Sequence, residues 1–384
     1  LEIYFDNAAT TITCKEAADM AYKVMTEYYG NPSSLHNKGL EIEKEVRTAR
    51  EKVAKTWGVN ANEVYFTSGG TESNNIALAG AIIKGSKWGN TIITTKTEHP
   101  AVLEVLEHYA AKMDMHIVYL NIEKNGLPDM EQLKSIVNDK VMLFSMMHVN
   151  NETGCIMPVK EAVKIVKRAA ARAFTHCDMV QSFGKTGVGA GELGVDFASL
   201  SGHKIHGPKG TGALYIKKGI SIPTIIFGGG QEKNIRSGTE NTPGICGLGV
   251  AAEIALKVHK DAEEKTAEIK SIISDGIMKN IPKCHINGEN TVSNVLNITF
   301  SGLRSEILLH SLESKGIYVS SGSACASNHP SPSKTLTAMG LSDKEIEGSL
   351  RFSFSRYNTP DEAKYCVEVL KNEVPEIRKF YGRG

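Results

Sequence analysis

The sequence predicts an α/β fold: a mainly parallel sheet covered by helices on both faces, followed by a smaller α+β domain. Two observations carry this. Strand-length apolar runs alternate with helix-length segments from Glu63 to Ile216, and such alternation means right-handed crossovers between parallel strands. Past a long helical stretch that begins near Asn241 the order of elements changes. A chain of 384 residues is long enough for one large core and a second lobe.

Near the N-terminus a short strand leads into the polar turn Asp6-Asn7-Ala8-Ala9-Thr10-Thr11, and Thr13 caps a helix expected from Lys15 to Tyr29, stopped by Gly30. Asn31-Pro32-Ser33-Ser34-Leu35-His36 offers a loop of hydrogen-bonding groups, or simply a proline-containing connection. A second helix, Gly39 to Trp57, keeps its charges on an exposed face. Glu63 to Thr67 reads as a strand, and Ser68-Gly69-Gly70-Thr71-Glu72 leads from it into a helix at Ile76 to Ile83. Two glycines let backbone approach a ligand closely, and free amides at a helix start favour an anion. The same kind of turn also serves only to change chain direction.

The strand Ile92 to Thr95 precedes a helix that ends near Met113, which puts His99 just past a strand's C-terminal end, where ligands gather in open α/β sheets. Strands at His116 to Leu120 and Val141 to Met147, with helices at Met130 to Val137 and Val159 to Arg172, repeat the pattern. His148-Val149-Asn150-Asn151-Glu152 adds polar groups at the same rim. Phe174-Thr175-His176-Cys177 then delivers Asp178, with Gln181 three residues on. Phe197 to Leu200 and Gly212 to Ile216 are two further buried strands, and Ser201-Gly202-His203-Lys204 lies between them.

Gly228-Gly229-Gly230-Gln231-Glu232-Lys233-Asn234-Ile235-Arg236-Ser237-Gly238-Thr239 is a long polar loop, suited to a lid, a ligand arm or a dimer contact. In the smaller domain we expect strands at Ser293 to Phe300, Ile317 to Ser320 and Ser349 to Ser353. Helices are expected at Arg304 to Lys315, Ser333 to Met339 and Pro360 to Phe380. Within it, Ser320 to Ser333 is rich in serine, glycine and proline, and such a segment cannot bury enough apolar area to be rigid. Cys325 sits in its middle. An exposed free thiol usually has a task, although an incidental surface cysteine is the plainer alternative.

Composition excludes several function classes. With 44 basic and 43 acidic residues the net charge is +1, which gives no support for nucleic acid or an anionic membrane as a partner. No apolar stretch reaches bilayer length, and the first residues lack a signal-like pattern, so a cytoplasmic location is expected. The seven cysteines are scattered without a Cys-x-x-Cys pair, and the 12 histidines show no ligand spacing, so neither a disulfide framework nor a metal site is expected.

The chemistry centres on Lys204. A lysine between two core strands among small residues is lowered in pKa by partial burial, which suits a Schiff base with an aldehyde cofactor; a Lys/Gly-rich turn is the plainer reading of the segment by itself. Ser201 and His203 beside it can bind a phosphate. A carboxylate such as Asp178 at the end of an apolar strand needs a partner, and a protonated ring nitrogen, a helix N-terminus or a salt bridge would each serve. Arg351 and Arg356 can each hold a substrate carboxylate through a two-pronged bond, or be plain ion pairs.

Taken together, Ser-Gly-His-Lys at 201–204, Arg-Ser-Gly-Thr at 236–239 and Ser-Ser-Gly-Ser-Ala-Cys at 320–325 resemble the NifS-type cysteine desulfurases, class V aminotransferases among the fold-type I enzymes. The resemblance runs from Tyr4 to Ser353. It implies a seven-stranded sheet in a large domain of residues 15–257, with a small domain formed by residues 1–14 and 258–384 that carries the cysteine loop at about 321–333. It implies pyridoxal 5'-phosphate bound to Lys204, with Asp178 at the ring nitrogen, Gln181 at the ring hydroxyl and His99 stacked on the ring, assisting proton transfer. Gly70, Thr71, Ser201 and His203 would hold the phosphate, joined by Thr239 of a neighbouring subunit in a homodimer. Asn150 and Arg351 would hold L-cysteine, with Asn31 a further candidate for substrate binding, and Asn150 would touch the cofactor. Cys325 would take the sulfur as a persulfide, leaving alanine, and pass it to an iron–sulfur scaffold protein. An aminotransferase or a cysteine or selenocysteine lyase on the same scaffold would need Lys204 and Asp178 but not Cys325.

Overall fold

A computed structural model describes residues 2–321 and 332–381. The chain opens with β1 (Ile3–Tyr4), α1 (Lys15–Thr26) and α2 (Asn37–Trp57). Then come β2 (Val64–Thr67), α3 (Gly70–Gly85), β3 (Thr91–Thr95), α4 (Pro100–Met113) and β4 (His116–Leu120). The next elements are α5 (Met130–Ile136), β5 (Val141–Ser145), α6 (Val159–Ala169) and β6 (Phe174–Asp178). The one-turn α7 (Ala190–Leu193), β7 (Phe197–Ser201) and β8 (Gly212–Ile216) complete the first half. A helix of 39 residues, α8 (Thr242–Asn280), leads to β9 (Cys284–Ile286), β10 (Val295–Phe300), α9 (Ser305–Ser314), β11 (Ile317–Tyr318) and β12 (Ser320–Ser321). α10 (Lys334–Ala338), α11 (Asp343–Glu347), β13 (Ser349–Ser353) and α12 (Pro360–Tyr381) follow.

Seven strands form one mixed sheet in the order β2-β8-β7-β6-β5-β3-β4. β4, β3, β5, β6 and β7 run parallel, while β8 is antiparallel to both β7 and β2. β5 to β8 are buried along their whole length because helices cover both faces. Successive residues divide between the two sides: Ile93, Phe144 and Ala213 join the core under α2, α6 and α8, and Ile92, Leu143 and Leu214 join the one under α3 and α4. Trp57 anchors the first of these, edge-on to Phe183 at 5.1 Å. β3 has β4 on one side and β5 on the other, so the connections leaving β3 and β5 part there. Such a divergence opens a crevice at the carboxyl ends of the strands.

The second core lies around the antiparallel sheet β12-β13-β10-β9. Leu296, Ile298, Phe300 and Phe352 pack there against Leu308 and Leu312 of α9 and Leu370 and Val374 of α12. α8 serves both cores, through Leu248, Ala251 and Ala252 near its start and Ile269, Ile273 and Ile277 at four-residue spacing near its end.

Three local expectations change. α3 begins at Gly70 rather than Ile76, because Ser73 and Asn74 are buried by hydrogen bonds that polarity alone does not reveal. The run Ile317 to Ser320 divides between two sheets, β11 pairing with β1 and β12 with β13. α1 ends at Thr26, and Cys14, not Thr13, is its N-cap residue, without a side-chain bond. Among the described residues no helix is long and apolar enough to cross a membrane.

Candidate active site

The carboxyl ends of β3, β5, β6 and β7, the start of α3 and the turn at Ala8 surround a cavity of about 310 Å³. At one end of it lies the N-terminus of α3. The first amides of a helix have no partner within it and attract an anion. A Cβ on Gly70 would lie 2.7 Å from Val180 Cγ2, and one on Gly212 would lie 2.6 Å from Gly69 Cα, so glycine at both places lets this loop sit against its neighbours. Thr71, Ser201 and His203 line the same end. His203 Nδ1 bonds Thr10 Oγ1 at 3.0 Å, and burial with the charges of Lys204, Lys209 and Lys185 lowers its pKa to about 4, so the ring is neutral. Glu72 in the first turn bonds the Ser68 amide and pairs with Arg236 Nε at 3.1 Å, which ties the glycine-rich arm to this cradle.

Asp178 marks the other end. Its Oδ1 accepts from the Val180 amide at 2.9 Å and its Oδ2 from Asn74 Nδ2 at 2.8 Å. Because Asn74 presents its amine to the carboxylate, its Oδ1 faces His176 Nε2, 3.1 Å away, which must donate. His176 Nδ1 then accepts from Ser145 Oγ at 2.9 Å. Burial holds this imidazole neutral, with a pKa of about 4. Glu98, buried nearby, accepts from the Met147 amide at 2.7 Å, and burial followed by the charge of Asp178 raises its pKa to about 8. At neutral pH it is protonated.

Between the two ends stands Lys204, placed by a one-turn 3₁₀ helix at the end of β7. Its Nζ donates to the carbonyls of Ala8 and Ala9 at 2.6 and 2.7 Å. Gln181 Nε2 donates to the same Ala8 carbonyl at 2.9 Å. His99 Nδ1 accepts from the Ala101 amide at 3.1 Å, and burial lowers the pKa of the ring, so its proton resides on Nε2. Arg351 spans the rim, donating to Asn151 O and Asp6 Oδ1 at 2.8 Å each. Its Nε is buried and has no partner among the described residues, a donor left over for a bound acceptor.

The cavity thus brings together Gly70, Thr71, His99, Asp178, Gln181, Ser201, His203, Lys204 and Arg351. Asn150 is not among its lining residues. Its Oδ1 accepts from the amides of Glu152 and Thr153 and its Nδ2 donates to Thr97 O, so the side chain braces its own turn, and the neighbouring Asn151 lines the cavity instead. Asn31 is exposed and accepts from the Ser33 amide, away from the site. Thr239 is exposed on the arm and is not among the residues lining the cavity. Cys325 lies outside the described residues. Asn74, His176, Glu98 and Lys185 escaped the sequence reading, although Asn74 stands one helical turn after Gly70 and His176 shares a strand face with Asp178.

The model of the aminotransferase class-V family matches residues 3–366. A cysteine desulfurase IscS of Methanosarcina thermophila is 40% identical over 380 residues, covering 98% of this chain and 93% of that protein. The cysteine desulfurase IscS of Dictyoglomus turgidum is 40% identical over 379 residues, covering 98% and 95%. Among solved structures, a NifS-like protein superimposes with a TM-score of 0.91 at 37% identity, covering 99% of this chain and 100% of its own.

Proposed function

The chain belongs to the aminotransferase class-V family, and from that premise we propose that it is a pyridoxal-phosphate-dependent cysteine desulfurase, converting L-cysteine to L-alanine while sulfur moves to Cys325. One observation carries the reading: the amine of Lys204 stands in a single cavity between an anion cradle and a buried carboxylate.

That donor set fits the cofactor. Gly70, Thr71, Ser201 and His203 would hold its phosphate, Asp178 would face the ring nitrogen, Gln181 would donate to the ring hydroxyl, and His99 would lie beside the ring. Bound there, pyridoxal phosphate supplies an aldehyde for the substrate amine and a ring that withdraws electrons from Cα. The remaining work falls to side chains. Arg351 and Asn151 receive the substrate carboxylate, Arg351 through its open Nε–H. The Lys204 amine, once free, takes the proton from Cα and can return it at a neighbouring atom. His99 keeps a proton on Nε2, facing the cavity, for transfer to a developing anion. The Cys325 thiolate attacks the substrate sulfur: the S–S bond forms as the Cβ–S bond breaks, and the bond pair stays with Cβ, which is protonated to the methyl group of alanine.

Both sides of the Cys325 segment support this assignment. Ser320, just before it, pairs with Arg351 in the sheet, and Ser333, just after it, donates to Glu152 at 2.5 Å beside Asn151. The same proposal makes the enzyme a homodimer, since the exposed Thr239 can serve only a neighbouring cavity. Ile12, Tyr22, Met25, Tyr29, Leu35 and Leu40, all largely exposed, offer apolar surface for that contact. We further propose residues 15–257 as the large domain and 1–14 with 258–384 as the small one, a cytoplasmic location, and an iron–sulfur scaffold protein as sulfur acceptor.

Incubating the cofactor-loaded protein with L-cysteine and a thiol acceptor tests the function. Alanine formed in step with cysteine consumed is expected. Pyruvate and ammonia in its place would make the protein a lyase.

A further inference from the structure

Behind Lys204 lies a second, smaller cavity of about 70 Å³ that Lys185 and Lys204 both line. Lys185 Nζ donates to Gln181 Oε1 at 3.3 Å, and Gln181 Nε2 donates to the Ala8 carbonyl that also accepts from Lys204. In its protonated form Lys185 is a donor only, so it fixes which end of the amide faces it, and the free N–H of Gln181 is left for the main cavity. The charged and titratable groups around Lys185 are Lys204, His203 and His206 on the turn after β7, Arg351 on β13, and, where Lys185 borders a further cavity, His148 and Lys270. Across the cavity lie Arg356 and, on α8, His259 and Glu263. Glu263, the acid among them, is exposed, and among the described residues Lys185 has no carboxylate within ion-pair distance. Burial, then the charges of Lys204 and Arg351, lowers the pKa of Lys185 to about 7. Below that pH Lys185 is a buried cation without a carboxylate partner beside another amine, an arrangement that disfavours protonation of its neighbour.

We infer that Lys185 is a positioning residue for Lys204: it clamps the Gln181 amide from behind and, by like-charge repulsion, opposes protonation of the Lys204 nitrogen. The inference rests on Lys204 being the residue that carries the cofactor.

The test uses the loaded enzyme and its visible absorption, which changes when the Lys204 nitrogen gains a proton, recorded against pH for the wild type, Lys185→Met, Lys185→Gln and Lys185→Arg. Removing a neighbouring positive charge raises the midpoint, by about one pH unit for Lys185→Met and Lys185→Gln. Lys185→Gln retains a donor for Gln181 and so separates the charge from the clamp: its midpoint moves as in Lys185→Met, while its kcat stays closer to wild type. Lys185→Arg keeps a charge at every pH and holds the midpoint at or below the wild-type value. In Lys185→Met kcat falls about tenfold with KM nearly unchanged, since the substrate's own contacts remain. A wild-type midpoint in both neutral variants overturns the inference, whichever of them folds. A wild-type protein without a borohydride-bleached band would instead overturn the assignment of Lys204.

Discussion

Asn74→Ala removes a side chain that is 1% exposed and joins Asp178 to His176. Its loss takes a hydrogen bond from a buried carboxylate, costing about 1.5–3 kcal/mol, and leaves a buried imidazole N–H in need of an acceptor, costing about 1–3 kcal/mol more. Ser199 Oγ lies 3.3 Å from the same His176 nitrogen and can accept in Asn74's place, so the second cost falls at its lower end. The expected destabilisation is therefore about 3 kcal/mol, measured by urea unfolding of the cofactor-free protein. Adding His176→Phe to Asn74→Ala should cost less than the two single losses together, because the first change has already removed the contact. Cofactor affinity should fall about tenfold, since Asp178 loses one of the two donors that hold it. A loss below about 1 kcal/mol, or strict additivity with His176→Phe, would refute the network.

Three further outcomes follow from the geometry. Glu98 is protonated in the folded chain up to about pH 8, whereas in the unfolded chain it ionises near pH 4.5. The unfolded state therefore binds fewer protons between these values, and the contribution of Glu98 to stability is lost as pH rises through that window. Glu98→Gln should thus gain on the wild type by about 3 kcal/mol between pH 5 and 8 in unfolding measurements, and parallel pH curves would contradict this. Glu232→Gln breaks a two-pronged pair with Arg50, 2.7 Å on both prongs, that also accepts from the Phe66 amide. It should cost about 2–4 kcal/mol and open the arm between Gly228 and Thr239 to limited proteolysis, and a wild-type cleavage pattern would count against an anchored arm. Arg351→Lys cannot serve Asn151, Asp6 and a substrate carboxylate together, so kcat/KM for L-cysteine should fall about hundredfold, and an unchanged value would remove Arg351 from substrate binding.

The parallel strands were legible because burial on both faces makes them continuous apolar runs, as in Phe197-Ala198-Ser199-Leu200, set between glycine-rich turns. Most of the cavity was legible for a related reason: Lys204, Asp178 and His99 are polar residues placed where such strands end. The structure turns Asn150 into its own turn and puts Asn151 at the cavity. Two adjacent asparagines in a turn look alike in sequence, and only the turn's own hydrogen bonds determine which faces inward. Asn74 and His176 were hidden differently, since each is one polar residue among others until the partner from a distant segment is in place. Lys185 was masked by its exposed-looking surroundings, Gly184 and Thr186. Thr239 is exposed on the arm, and its proposed role lies across an interface.

The most direct test of the whole account is the fate of Cys325 after a single turnover. The loaded enzyme is mixed with an equimolar amount of L-cysteine without a reductant, quenched by thiol alkylation, and digested for peptide mass analysis. The account predicts one additional sulfur on the peptide containing Cys325, with an equivalent of alanine, and neither in Cys325→Ala. Alanine at the wild-type rate from that variant, or the extra sulfur on another cysteine, would contradict it.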